Sequence, residues 1–165
     1  MNPAFLVDSR EELYCPDCGC PLRLRDHRKR IWRREGGKKD WLLLGRYRCD
    51  HCNRLHIGLP EFLAEYKHYD NRTMETVIDE NVGEDLSYED YPCEMTMKRW
   101  LDWFKRNRTA IEGQIRSAAM RFLDLTEEFL RSMESLLAEL RERIRPGWLG
   151  AVLRIIYNSG GRLST

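Results

Sequence analysis

The stretch Tyr14–Arg30, YCPDCGCPLRLRDHRKR, sets three cysteines within six residues directly ahead of a run dense in arginine. A second knuckle follows at Cys49–Asn53, CDHCN, with thirty residues between the two. The pairs Cys15/Cys18 and Cys49/Cys52 offer four thiolates to one tetrahedral cation. Turn-forming residues surround them, Pro16 and Gly19 in the first and Asn53 in the second. One CxxC alone is also a redox motif, whereas two that bracket a strand-like segment point to a zinc ribbon with long arms. The expectation is one structural Zn2+ on Cys15, Cys18, Cys49 and Cys52, with no open coordination position. Cys20 is a weaker match than the Cys15/Cys18 spacing, Cys93 reads as a small semi-buried side chain, and His51 or His56 would ligate only by displacing a cysteine.

A ribbon of this size cannot build an adequate apolar core, and structural zinc can contribute an apparent ~10–16 kcal/mol. Four thiolates on Zn2+ leave a formal charge of −2 that nearby bases moderate. Two charges do not require the eleven Lys and Arg present in residues 21–48, where only three acids stand against them. The chain as a whole is near neutral at +1, because residues 61–94 hold eleven acids against two bases. Residues 95–165 return thirteen bases against eight acids. Such segregation points to a polyanion, nucleic acid above all. The competing reading is that the basic block docks on the acidic one. No run approaches the ~18–20 apolar residues of a bilayer span, and the opening MNPAFLVDSREEL turns acidic at once, unlike a signal peptide. A cytoplasmic chain with reduced thiols and no membrane partner is expected.

Between the knuckles, Leu22, Arg23, Leu24 and Arg25 alternate, Glu35-Gly36-Gly37-Lys38 is a turn signal, and Trp41–Arg48 returns. With a third short strand over 54–59, residues 1–60 read as a three-stranded antiparallel zinc ribbon. Its candidate nucleic-acid contacts are Arg23, Arg25, Arg28, Lys29, Arg30, Arg33, Arg34, Lys38, Lys39, Arg46 and Arg48. Trp32 and Trp41 flank the tip, with cross-strand packing favoured over base stacking.

Residues 61–108 read as a helix-turn-helix-like segment. PEFLAEYKHYD either begins a helix or docks the ribbon on the helical part of the chain. A short helix over 72–82 then precedes an acidic connection over 83–92 and a basic amphipathic helix, EMTMKRWLDWFKRN, whose apolar stripe is Met97, Trp100, Leu101 and Phe104. If it enters a major groove, Thr96, Lys98, Arg99, Asp102 and Arg106 face the DNA. From Thr109 to Ile144 the apolar residues recur every three or four positions, the signature of one or two amphipathic helices, and one rod of about 50 Å is allowed. Residues 109–165 are therefore expected to fold back or to pair two copies, a homodimer or higher oligomer being favoured. Pro146-Gly147 ends the run before a short apolar helix at Trp148–Tyr157. The fold class is α+β.

The chain resembles an uncharacterised family of bacterial zinc-ribbon proteins whose layout is related to the N-terminal DNA-binding regions of insertion-sequence transposases. The residues that carry the likeness are Leu59, Pro60, Phe62, Tyr66, Lys67 and Tyr69, then Thr96, Arg99, Trp100, Trp103 and Phe104, with GWLGAVLRIIYNS at 147–159. The resemblance implies zinc and DNA binding; it does not imply a catalytic activity. Transposases carry an RNase H-like βαβ domain, and nothing after residue 108 shows the strand–helix alternation that would host one. The leading expectation is a zinc-stabilised, sequence-directed DNA-binding protein without a nuclease, with duplex DNA favoured and RNA or a single strand left open because a basic hairpin with aromatics does not discriminate them. The alternative is a protein-interaction adaptor docking on a polymerase or transposase. An enzyme is disfavoured: the segment around Glu75, Asp79, Glu80, Glu84 and Asp85 is rich in carboxylates but offers no nucleophile–base pair, open metal site or phosphate loop.

Overall fold

The computed structural model describes residues 4–7, 9, 11–34, 37–80, 92–122, 126–132 and 134–165. Among these, four strands precede five helices: β1 Ala4–Val7, β2 Leu22–Arg33, β3 Lys39–Cys49, β4 Leu55–Ile57, α1 Asn71–Glu80, α2 Glu94–Phe122, α3 Glu127–Ser132, α4 Leu136–Arg143 and α5 Trp148–Asn158. No helix among the described residues is long and apolar enough to cross a membrane.

The fold is α+β, as expected, but the sheet is mixed and four-stranded, not a three-stranded antiparallel ribbon. β2 and β3 pair antiparallel from Leu22↔Cys49 to Arg33↔Lys39, with a bulge between Leu24 and Asp26. β4 covers only Arg46–Arg48 of the opposite edge of β3. Left alone, Trp41–Leu44 would keep unpaired backbone groups beside a buried apolar face. The apolar run Ala4–Val7 fills that gap by pairing in parallel. Glu35 and Gly36 of the expected turn lie outside the described residues.

The sheet buries little. Leu42, Leu44 and Leu63 form its core, with Val7, Trp32, Leu59 and Phe62 against them. The helices share a far larger core that includes Met74, Val77, Trp100, Trp103, Ile111, Trp148, Leu149 and Ile156. Adjacent linker residues split between the two, Leu63 facing the sheet and Ala64 the helices. Residues 61–70 form turns, not the start of a helix, so they take the docking path. The cause is a set of backbone carbonyls turned toward β2. The Arg30 guanidinium donates to Ala64 O at 2.7 Å and to Lys67 O, and Arg33 N–H donates to His68 O at 2.7 Å. Trp32 closes the junction on Phe62, ring centroids 4.5 Å apart.

α1 starts where the Asp70 carboxylate accepts from the Thr73 N–H at 2.7 Å, the N-cap arrangement. Val82 and the acidic connection as far as Tyr91 lie outside the described residues. α2 starts as expected but continues across the boundary placed at 108/109 to Phe122. The stripe over 109–144 is not one rod: it is divided among α2, α3 and α4. Glu112 on α2 folds the chain back: its carboxylate accepts from the N–H of Leu136 at 2.8 Å and Leu137 at 2.9 Å, and from the Ser135 hydroxyl at 3.0 Å. A carboxylate at the first turn of α4 satisfies orphan donors and opposes the positive end of its dipole. Arg116 pairs with Glu112 and reaches Leu130 O. Ile111, Ile115, Ala118, Leu130 and Leu137 are therefore buried within the chain, while Phe122 and Phe129 of the same stripe remain exposed. Leu123, Leu125 and Met133 lie outside the described residues.

α5 begins under a second carboxylate. Glu75 on α1 accepts from Gly147 N–H at 2.7 Å and Leu149 N–H at 2.9 Å. Asp79, one turn on, accepts from Trp148 Nε1 at 3.0 Å and pairs with Arg141. The segment after α5 runs back along α2, where buried Asn107 accepts from Ser164 N–H at 3.0 Å and its Nδ2 donates to Ser164 O at 3.2 Å.

Candidate metal centre

The two CxxC turns are built alike. In the first, Gly19 N–H donates to Cys15 O at 2.8 Å and Cys15 N–H donates to Cys20 O at 2.8 Å. In the second, Asn53 N–H donates to Cys49 O at 2.9 Å and Cys49 N–H donates to Arg54 O at 3.0 Å. The residue after each second cysteine is left-handed, Gly19 at φ 73° and Asn53 at φ 61°, and glycine and asparagine are the residues that accept this backbone most readily. The equivalence gives Cys20 the place of Arg54, a backbone acceptor. It also leaves Cys15, Cys18, Cys49 and Cys52 as the matched set.

Those four sulfurs all lie within 4.8 Å of one another. Cys15 Sγ is 3.6 Å from Cys52 Sγ, and Cys18 Sγ is 3.4 Å from Cys49 Sγ. A tetrahedral ion with metal–sulfur bonds of about 2.3 Å places its ligands about 3.8 Å apart, so the donor set fits such an ion after small adjustment. The thiols also interact strongly. Despite the N–H of Cys20, burial and the neighbouring sulfurs of Cys49, Cys15 and Cys52 push the Cys18 thiol up. The N–H groups of Cys52 and His51, with Cys18, outweigh desolvation and hold Cys49 down at about 7. A cation at the centre relieves this crowding by binding the thiolate forms.

The outer groups suit a negatively charged cluster. His56 Nε2 lies beside the tetrad, 3.3 Å from Cys15 Sγ. Arg54 pairs with Asp17 at 2.9 Å and ties the second knuckle to the first. Arg48 donates to Asn53 Oδ1 at 2.9 Å, and Arg23 pairs with Asp50 at 3.0 Å.

The basic residues of the arms are largely engaged. Arg46 and Asp26 sit opposite one another across the strands with Nε–Oδ1 at 2.6 Å, and that hydrogen bond holds the Asp26 carboxyl below its usual range. Arg25 is 3.7 Å from Asp26, and Arg34 pairs with Asp40. Lys29 lies 4.5 Å from the Trp41 ring centroid, and Arg33 lies 5.6 Å from that of Tyr69. Trp32 faces the linker and Trp41 the opposite side, so the tryptophans do not pack on each other across the strands. Arg28, Lys38 and Lys39 have no partner among the described residues.

On α2 the arrangement is reversed. Lys98, Arg99, Asp102, Lys105 and Arg106 share the exposed side opposite Trp100, Phe104 and Ile111. None of these four bases pairs with a carboxylate among the described residues; Arg106 Nε donates only to Asp102 O, at 3.3 Å. Thr96 is half-buried at the start of the helix, 3.3 Å from Cys93 Sγ, and lies off that face. Lys105 completes the face although the spacing argument omitted it; its signal was the seven-residue step from Lys98.

No curated protein and no solved structure matches the chain. A match to a sequence-family profile covers residues 15–100, from the first knuckle to the start of α2, and carries neither an activity nor a link to transposases. That span is more than half of the sequence, and the chain belongs to the family described as a domain of unknown function, DUF6431.

Proposed function

We propose that the chain is a zinc-stabilised duplex-DNA-binding protein in which the ribbon is a structural brace and α2 is the reading element. The four thiols take one Zn2+, and the closed set gives the metal a folding role. α1 and α2 act as a helix-turn-helix, Met74 and Val77 of the first helix sharing one buried cluster with Trp100 and Trp103 of the second. The observation that carries this reading is the basic face Lys98, Arg99, Lys105 and Arg106, exposed and without carboxylate partners among the described residues. Cations in excess on one helix face, four against the single acid Asp102, attract a polyanion and release its counterions on contact. Arg28, Lys38 and Lys39 extend the attraction along the hairpin. Glu75 and Asp79, two of the five acids a catalytic reading would draw on, are engaged in holding α4 and α5.

The test is binding to duplex DNA across a salt series. About five phosphate contacts predict a log–log slope near −4.5. Absence of duplex binding at low salt sinks the proposal.

One observation favours the adaptor reading instead: Met120, Phe122 and Phe129 are exposed apolar side chains at the α2–α3 end. Capture of a polymerase or transposase that is lost in Phe122→Ser and kept in Lys98→Ala would favour it. A second copy of the chain meeting at the same end would show as a concentration-dependent mass, lost in the same variant.

A further inference from the structure

The two knuckles correspond position by position, and one pair of positions breaks the correspondence. Asp17 precedes the second cysteine of the first turn as His51 precedes that of the second, and Cys20 stands where Arg54 stands. Arg54 and Asp17 form an ion pair at 2.9 Å that ties one knuckle to the other. At the related positions the chain carries a thiol and an imidazole instead, Cys20 and His51. The Cys20 carbonyl closes its turn by accepting from Cys15 N–H at 2.8 Å, a task that any side chain permits, as Arg54 shows. The thiol of Cys20 is therefore surplus to the turn.

That thiol is placed for a cation. The sulfurs of Cys18 and Cys20 and a ring nitrogen of His51 all lie within 4.8 Å of one another. Neither the Cys20 thiol nor the His51 ring has a hydrogen-bond or ion-pair partner among the described residues. Two thiolates and an imidazole are donors for a thiophilic divalent ion, and three protein ligands leave one tetrahedral position to water. Ligands of one such ion stand about 3.8 Å apart, and the exposed His51 ring can turn inward to meet that spacing. Cys18 belongs to both sets, and a thiolate sulfur has lone pairs enough to bridge two cations. The zinc-filled tetrad is negatively charged, which draws a second cation to its side.

We propose that Cys18, Cys20 and His51 hold a second, exchangeable divalent cation of the thiophilic class, with Cys18 bridging it to the structural ion. The second ion clasps the knuckles as Arg54 and Asp17 do at the related positions. It leaves more readily than the first because its fourth position is open to water, so the desalted chain keeps only the structural zinc. The clasp rests on the zinc reading of the tetrad above and is independent of DNA binding.

The experiment titrates Co2+ into the full chain after desalting, with the structural zinc in place. It follows thiolate-to-cobalt charge-transfer absorption, to which zinc contributes nothing, together with the zinc retained. The expected result is saturation at one cobalt per chain with the zinc still bound. Cys20→Ser is expected to remove most of the band. His51→Ala is expected to weaken cobalt binding by more than about tenfold, since even losing a supporting hydrogen bond costs a metal site about that much. Both variants should keep one zinc. Absence of the band, zinc released in step with cobalt uptake, or titrations unchanged in both variants overturns the second site and leaves the tetrad standing. A desalted chain without zinc overturns both. If Cys20→Ser fails to fold, His51→Ala decides the matter, because that ring is exposed on a turn.

Discussion

The sheet and α2 are both rich in lysine and arginine, and they use them in opposite ways. In the sheet, Asp26 holds Arg46, Asp40 holds Arg34 and Asp50 holds Arg23, while Arg30 is bound to linker carbonyls. On α2, Lys98, Arg99, Lys105 and Arg106 stand on the exposed side with no such partners among the described residues. The difference follows the cores. Three buried residues cannot hold a sheet, so its cations brace strands, knuckles and linker. The helices rest on a core containing four tryptophan or phenylalanine side chains, Trp100, Trp103, Phe104 and Trp148, and can leave a charged face unpaired. Density of positive charge along a sequence is therefore a poor guide to which cations are left without carboxylate partners.

Loss of the metal should have the greatest consequence, and it separates the two regions by their source of stability. Removing the metal, by chelation or by Cys49→Ser, should cost an apparent ~10–16 kcal/mol. The loss should fall on β2 and β3 while α2 and α5 keep their core. Metal analysis should find one zinc per chain, and amide exchange after chelation should be fast in the sheet and slow in α2. Sheet amides that stay protected without metal would break the comparison, because the small core would then suffice.

Charge removal gives the next effect, on binding. Replacing Lys98, Arg99, Lys105 and Arg106 by alanine should flatten the salt slope by about 0.9 for each phosphate no longer neutralised and leave the melting temperature close to the parent's. Arg46→Ala should do the converse, lowering the melting temperature with the slope unchanged. Equal slope losses from both sets would return the hairpin to the DNA interface.

The legible part of the molecule was what neighbours in sequence decide. The matched CxxC turns, the left-handed positions after them, the hairpin, and α1 and α5 follow from local turn chemistry and periodicity. Other features depended on residues far along the chain. Four apolar residues become β1 only because β4 leaves Trp41–Leu44 uncovered. The apolar spacing over 109–144 continues through breaks set by Glu112, which holds Leu136 from 24 residues away. The engagement of the arms was hidden because Asp26 meets Arg46 only in the register that the bulge creates.

A smaller effect tests that fold-back by pH. Burial opposes the Glu112 charge, but the N–H groups of Leu137 and Leu136, then Arg116 and Ser135, outweigh it and hold the carboxyl below its usual range. A carboxylate depressed in the folded state stabilises above its unfolded pKa of about 4.3 and loses that contribution as pH falls through the folded value. Glu112→Gln should lower the melting temperature at neutral pH, with the gap to the parent closing in acid. A gap that stays constant with pH would assign the effect to shape and not to charge.

The smallest effect is a difference of sign between the two regions for one substitution. An added Cβ meets no atom within 4 Å at Gly19 in the first knuckle or at Gly113 in α2. Space is equal at both sites, so backbone conformation decides. Gly19 is left-handed at φ 73°, where alanine costs about 1–2 kcal/mol, and metal retention under competing chelator should weaken with it. Gly113 lies inside a helix, where alanine gains about 0.5–1 kcal/mol. Gly19→Ala should therefore melt below the parent and Gly113→Ala above it. If both fall, α2 needs the freedom of its glycine, and the helix is less independent of the rest of the chain than its core implies.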